Sequence, residues 1–171
     1  MEPHGAMGTF IPTGLVWGWH VLSAGEPFSE GIGPGNPKYE KTVKAVVLLS
    51  DGENSATMTS DTDNHNKSLY SGYNYYTAGR LGTVTDTASS DGPNAKLNAK
   101  TAALCGNVKD DSIRVYTITF GAIPESAKTL MRNCASESEG EPLYFHAPSD
   151  TALEGVFNAI GADLSNLHLS M

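Results

Sequence analysis

The sequence predicts an α/β fold built on a mostly parallel β-sheet, and three observations carry that expectation. Ala45–Asn54 (AVVLLSDGEN) runs five apolar residues without a break into Ser50-Asp51-Gly52-Glu53-Asn54. A continuous apolar run closed by turn residues reads as a strand buried on both faces, the pattern of a parallel sheet covered by helices. Ile113–Phe120 (IRVYTITF) alternates β-branched and aromatic residues and reads as a second strand. Helical patterns alternate with these strands along the chain, which calls for βαβ crossovers and parallel pairing.

The elements follow in order. Residues 1–8 are short and turn-rich. Thr9–Leu22 carries Ile11, Leu15, Trp19 and Leu22 at spacings of three and four, with Val16 beside them. That spacing predicts an amphipathic helix, with Pro12 tolerated in its first turn. Gly14 and Gly18 lie four apart and suggest close approach to a neighbouring element. The glycines and prolines of Ser23–Pro37 make it a loop. Tyr39–Leu49 reads as the first strand, with its core at 43–49. Ser55–Asn94 is a long polar insertion with tyrosines at Tyr70, Tyr73, Tyr75 and Tyr76. A loop of that length in a compact domain is usually functional or partly disordered. Ala95–Lys109 reads as a helix through Leu97, Ala102 and Leu104. Pro124–Cys134 reads as a short helix, and Leu143–His146 as a brief third strand. Ser149 or Asp150 can cap a last helix whose Leu153, Phe157, Ile160, Leu164 and Leu167 form one stripe.

Composition narrows the function classes. A chain of 171 residues with 39% hydrophobic content supports one domain with a real core. Nineteen acidic against eleven basic residues, a net charge of −8, argue against nucleic acid and anionic membrane surfaces. No apolar stretch approaches the roughly 20 residues of a membrane span. The first ten residues, MEPHGAMGTF, have neither the basic start nor the apolar core of a signal peptide.

Ligands in parallel sheets sit beyond the carboxyl ends of the strands. Asp51, followed by Gly52 at such an end, is therefore the first functional candidate. The same pair also reads as a plain strand-ending turn, which aspartate and glycine favour. The stretch Asp61-Thr62-Asp63-Asn64-His65-Asn66 has oxygen ligands at alternate positions, as in a calcium loop. It lacks the glycine and the distal glutamate of that pattern and reads better as solvated loop. The five histidines are scattered, without an HExxH or a ligand-like pair. There is no G-x-S-x-G and no P-loop. The tyrosine cluster reads equally as a recognition surface or as an anchor for its loop.

Four segments together resemble the von Willebrand factor A domain: MGTFIPTGL at 7–15, VVLLSDGEN at 46–54, LCGNVKDDSIRVYTITFG at 104–121, and the ending YFHAPSDTALEGVFNAIGADLSNLHLS. More narrowly they resemble its version in TadG-like proteins of tight-adherence (Flp) pilus assembly. The resemblance covers nearly the whole chain. It implies an α/β, Rossmann-like sheet flanked by helices, here one domain over residues 1–171 with a polar insertion at 55–94.

It further implies a non-enzymatic binding or adhesion module. Family members hold Mg²⁺ or another divalent cation through a DxSxS motif, a threonine and a later aspartate. Thr9 matches the threonine and Asp51 the aspartate, while the DxSxS segment has no match in this chain. On this reading the chain corresponds to the C-terminal two-thirds of such a domain. Mg²⁺ takes six oxygens in near-octahedral array, so the cation should be bound weakly or not at all by this chain alone. The implied partner is a protein of the pilus or cell envelope, and the implied location is outside the cytoplasmic membrane, with an inner-membrane anchor in the full-length family. In that compartment Cys105 and Cys134, flanking the IRVYTITF strand, would oxidise to a disulfide; in a cytosolic protein they would be free buried thiols. The 43–49 strand should present an unpaired edge suited to self-association. Two alternatives stay open: a structural assembly segment with no working cation site, and a metal-dependent hydrolase using Asp51.

Overall fold

The computed structural model describes residues 8–56, 70–82 and 92–169. The stretch holding Asp61, Asp63 and Asn66 lies outside the described residues, as does much of the long insertion. Helix α1 spans Ile11–Leu22, strand β1 Lys44–Ser50, helix α2 Pro93–Asp110, strand β2 Ile113–Phe120 and helix α3 Glu125–Cys134. Two-residue strands β3 (Glu137–Ser138) and β4 (Glu141–Pro142) follow, then strand β5 (Tyr144–Ala147) and helix α4 (Asp150–Leu169).

Among the described residues the main sheet is parallel and three-stranded, in the order β1-β2-β5. Its register pairs Lys44 with Ile113 through Ser50 with Thr119, and Thr117 with Tyr144 through Phe120 with Ala147. The fold is thus α/β with a parallel sheet and helices on both faces, compatible with a Rossmann-like architecture. Central β2 is buried along almost its whole length, as its β-branched and aromatic composition requires. β3 and β4 pair antiparallel around Glu139 and Gly140, both with positive φ. That is the geometry of a tight two-residue hairpin, and sequence periodicity over so few residues did not reveal it.

Each face of the sheet builds its own core. On one face Ile11, Leu15, Leu48, Val108, Val115 and Met131 pack with Cys105 and Cys134. On the other, α4 lays Ala152, Leu153, Val156, Ile160 and Leu164 over Tyr116, Ile118, Phe145 and Ala147. Asp163 on α4 accepts hydrogen bonds from Tyr116 and from Arg114, the latter at 3.1 Å, and so fixes the helix against β2. A third cluster, Tyr76, Leu81 and Leu97 with Phe10 and Tyr73, seats the 70–82 segment on α2. Tyr73 and Tyr76 therefore anchor the segment, whereas Tyr70 faces solvent.

Several expectations need correction. β1 is not buried on both faces: Val47 and Leu49 are 39% and 42% exposed. The reason is its position, since among the described residues β1 has a strand neighbour on one side only and α4 reaches only as far as Ala45. The first strand begins at Lys44, because Tyr39–Lys41 turns as a 3₁₀ helix. Phe157 is 48% exposed and leaves the α4 stripe, its place over the sheet taken by Val156. Of the two glycines in α1, only Gly18 makes the close approach: a Cβ there would stand 3.1 Å from a Val46 methyl, while Gly14 has open space.

Cys105 and Cys134 form a disulfide with a Cα–Cα separation of 5.2 Å. It joins α2 to α3 beneath β2 and is almost fully buried. Among the described residues, no helix is long and apolar enough to cross a membrane.

Candidate functional site

The carboxyl end of β1 and the segment leading into α1 meet at one edge of the sheet. β1 ends at Ser50, whose hydroxyl donates to the Gly52 carbonyl at 2.8 Å and closes the turn that carries Asp51. Asp51 is exposed. Thr9 lies 42 residues earlier in sequence but packs on this turn: a Cβ built on Gly52 would stand 3.3 Å from Thr9 Oγ1. A side chain at Gly52 would crowd the threonine hydroxyl. The structure thus brings the Thr9 hydroxyl to the turn bearing Asp51, at the end of the sheet where ligands of parallel folds bind.

Two backbone-level ties hold the loops together. Ser55 N–H donates to the Thr9 carbonyl at 2.9 Å, and Ile11 N–H donates to Asn54 Oδ1 at 3.0 Å. Gly8 is required just before them. Its φ is +71°, and a Cβ there would fall 1.9 Å from the Ser55 carbonyl oxygen. An L-side chain is disfavoured by the φ and blocked by the backbone contact.

Asn54 is the residue that sequence reasoning missed. Its side chain is buried, accepts from the first turn of α1, and donates to Asn98 Oδ1 and Thr101 Oγ1, both at 2.9 Å. Thr101 in turn donates to the Leu97 carbonyl at 2.8 Å. A single carboxamide therefore caps α1 from outside and locks it to α2. Thr9 does not cap the helix: α1 begins at Ile11, its N-cap is Phe10, and no side chain of its own caps it. That leaves the Thr9 hydroxyl unused for capping and available at the turn. Asn54 sits at the end of the DGEN motif, a turn-forming context that gives no sign of a distant helix partner.

Next along the sheet edge, Thr119 pairs with Ser50 in register. Its hydroxyl lies 2.9 Å from Tyr144 Oη and 3.0 Å from His146 Nδ1. Thr119 is fully buried. These contacts lock β2 to β5, and the hydroxyl cannot reach an external substrate.

Oxygen donors from a hydroxyl and a carboxylate are the chemistry that hard cations such as Mg²⁺ select. Thr9 and Asp51 fit that class but offer two of the six positions. Among the described residues, no three His, Cys, Asp or Glu side chains gather closely enough to hold a metal ion by themselves. Elsewhere, burial raises the phenol of Tyr73, and burial pushes Tyr76 and Tyr116 up to about 12, the latter assisted by its hydrogen bond to Asp163. These groups are neutral structural elements at ordinary pH. No protein-family model, curated protein or solved structure matches this chain.

Proposed function

We propose that this chain is a non-enzymatic binding module of the von Willebrand factor A type, resembling the TadG-like domains of tight-adherence pilus assembly. The observation that carries the reading is the approach of Thr9 to the Asp51-Gly52 turn at the carboxyl edge of a parallel sheet. In this reading Thr9 and Asp51 face a shared divalent cation, and a carboxylate from a protein partner completes its coordination. The cation then acts as an electrostatic bridge, and no bond is made or broken. Asp51 stands exposed, as a group that must meet a partner requires.

The buried Cys105–Cys134 disulfide supports an extracytoplasmic location, because such bonds persist in oxidising compartments. The acidic balance of the chain agrees with cation-mediated contact to a pilus or cell-envelope protein. A titration calorimetry series with Mg²⁺ and Mn²⁺ tests the site. Weak, saturable binding that disappears in Asp51→Asn and falls in Thr9→Ala is expected. Binding indifferent to both substitutions would refute it. Unaltered stability of the two variants, by thermal unfolding, separates a ligand role from a structural one.

A further inference from the structure

Helices α1 and α2 pack side by side and leave a groove of about 490 Å³ between them. Val16, Trp17 and His20 form one wall, and Lys100, Leu104 and Asn107 the other. Each set recurs at spacings of three or four, so each lies on one face of its helix. The 70–82 segment adds a third side. A Cβ built on Gly72 would stand 2.8 Å from Thr13 Oγ1, so only glycine lets the segment settle this close to α1. Tyr73 then meets Lys100, whose ammonium lies 5.3 Å from the centre of its ring. Ala103, exposed on the α2 wall, is too small to fill the space before it. The volume falls in the range of roughly 300–1,000 Å³ that small-molecule sites occupy.

The lining selects a ligand by shape and by charge. Trp17 is 53% exposed, yet its ring is held edge-on by Phe28 and by His20, each at 6.0 Å between ring centres. Such contacts fix the indole before a ligand arrives and reduce the ordering cost of binding. The chain carries a net charge of −8, but the groove is lined by Lys100 and His20 and by no Asp or Glu. Among the described residues Lys100 makes no ion pair. Its contact with the Tyr73 ring leaves N–H donors for an anion. We infer that this groove binds a small aromatic carboxylate, its ring packed between Trp17 and Leu104 and its carboxylate on Lys100. Asn107 and His20 supply further N–H donors beside the ammonium. One full cation matches one negative charge, whereas a phosphate dianion calls for the arginine cluster that this lining lacks. An amine would meet Lys100 as a like charge.

Neither Thr9 nor Asp51 lines this groove, and the test is run in EDTA so that it fails separately from the cation site. Amide and indole NMR signals of the full chain are followed while 3-phenylpropionate or indole-3-acetate is added to about 10 mM, which covers weak binding. Saturable shifts at Trp17, Lys100, Leu104 and Asn107 are expected, with each acid at least about tenfold tighter than its own amide. Lys100→Met should remove that preference by weakening the acid alone. Trp17→Ala should weaken acid and amide together. Ala103→Phe should fill the groove and stop binding, with melting retained because the site is exposed. The absence of saturable shifts across that range would overturn the inference. So would equal affinity for acid and amide, shifts centred away from the groove, or acid binding that survives both Lys100→Met and Ala103→Phe. A tripeptide ending in phenylalanine that binds more tightly than either free acid would overturn the assignment to a small molecule. If Trp17→Ala does not fold, the other two variants decide.

Discussion

Replacing Asn54 with alanine should damage both the fold and the site, and the structure sets the size of the effect. The substitution removes the acceptor of Ile11 N–H and the donor to Asn98 and Thr101, all within 3.0 Å. Losing a helix cap costs about 0.5–2 kcal/mol. Leaving buried polar groups without partners adds about 1–3 kcal/mol. Since the carboxamide is almost wholly buried, little solvent can replace it, and a net loss of roughly 2–4 kcal/mol is expected. For a chain of this size that lowers Tm by roughly 4–16 °C. A double-mutant cycle with Thr101→Val isolates the bridge, and a coupling of about 1 kcal/mol is expected for residues sharing one network. Amide exchange at Ile11 should accelerate in Asn54→Ala. An unchanged Tm with unchanged exchange at Ile11 would show that the carboxamide does not hold α1 to α2.

Other perturbations probe the remaining supports. Reducing the Cys105–Cys134 bond, or replacing both residues with alanine, opens a loop set by a sequence separation of 29. The loss should be roughly 3–4 kcal/mol by the loop-entropy model, read as a lower urea midpoint; an unchanged midpoint contradicts it. Gly8→Ala forces a Cβ onto the Ser55 carbonyl at a positive φ, so the Thr9 segment should detach from the turn. Proteolysis near residue 9 and faster Ser55 amide exchange would report it, and native-like exchange would argue against it. Alkaline stability tests the buried phenols. Tyr76 and Tyr116 titrate near 12 in the folded protein against 10 unfolded. The folded state thus holds their protons more tightly, and their stabilisation is full below about pH 10 and lost as pH rises toward 12. Tm should fall across that window, and Tyr116→Phe should flatten the fall; a flat wild-type profile contradicts the burial.

The helices and strands were largely legible because their periods are local. IRVYTITF announces a central strand, and the 3–4 spacing of Ile11, Leu15, Trp19 and Leu22 announces α1. Whether an apolar strand is covered is a property of its neighbours. AVVLL reads the same with one partner as with two, which is why the exposure of Val47 and Leu49 escaped the sequence. Phe157 misled for a similar reason: its spacing suits the stripe, but α4 rolls so that Val156 and Ile160 meet the sheet. At the candidate site, the turn carrying Asp51 was legible from the apolar run that ends at it. Asn54 was not, since its partners lie 43 to 47 residues away and no local pattern encodes a carboxamide bridging two helices.

The most direct measurement of the central claim is a Mn²⁺ titration followed by amide NMR on uniformly labelled protein. If Thr9 and the Asp51 turn face one cation, the signals of Thr9 and of Asp51 through Asn54 should broaden first and together. Signals at the opposite end of the sheet, such as Lys44 and Ile113, should stay sharp. Asp51→Asn should abolish the selective broadening without moving the rest of the spectrum. Uniform broadening, or broadening centred elsewhere and unchanged in Asp51→Asn, would contradict a cation-dependent site at this edge.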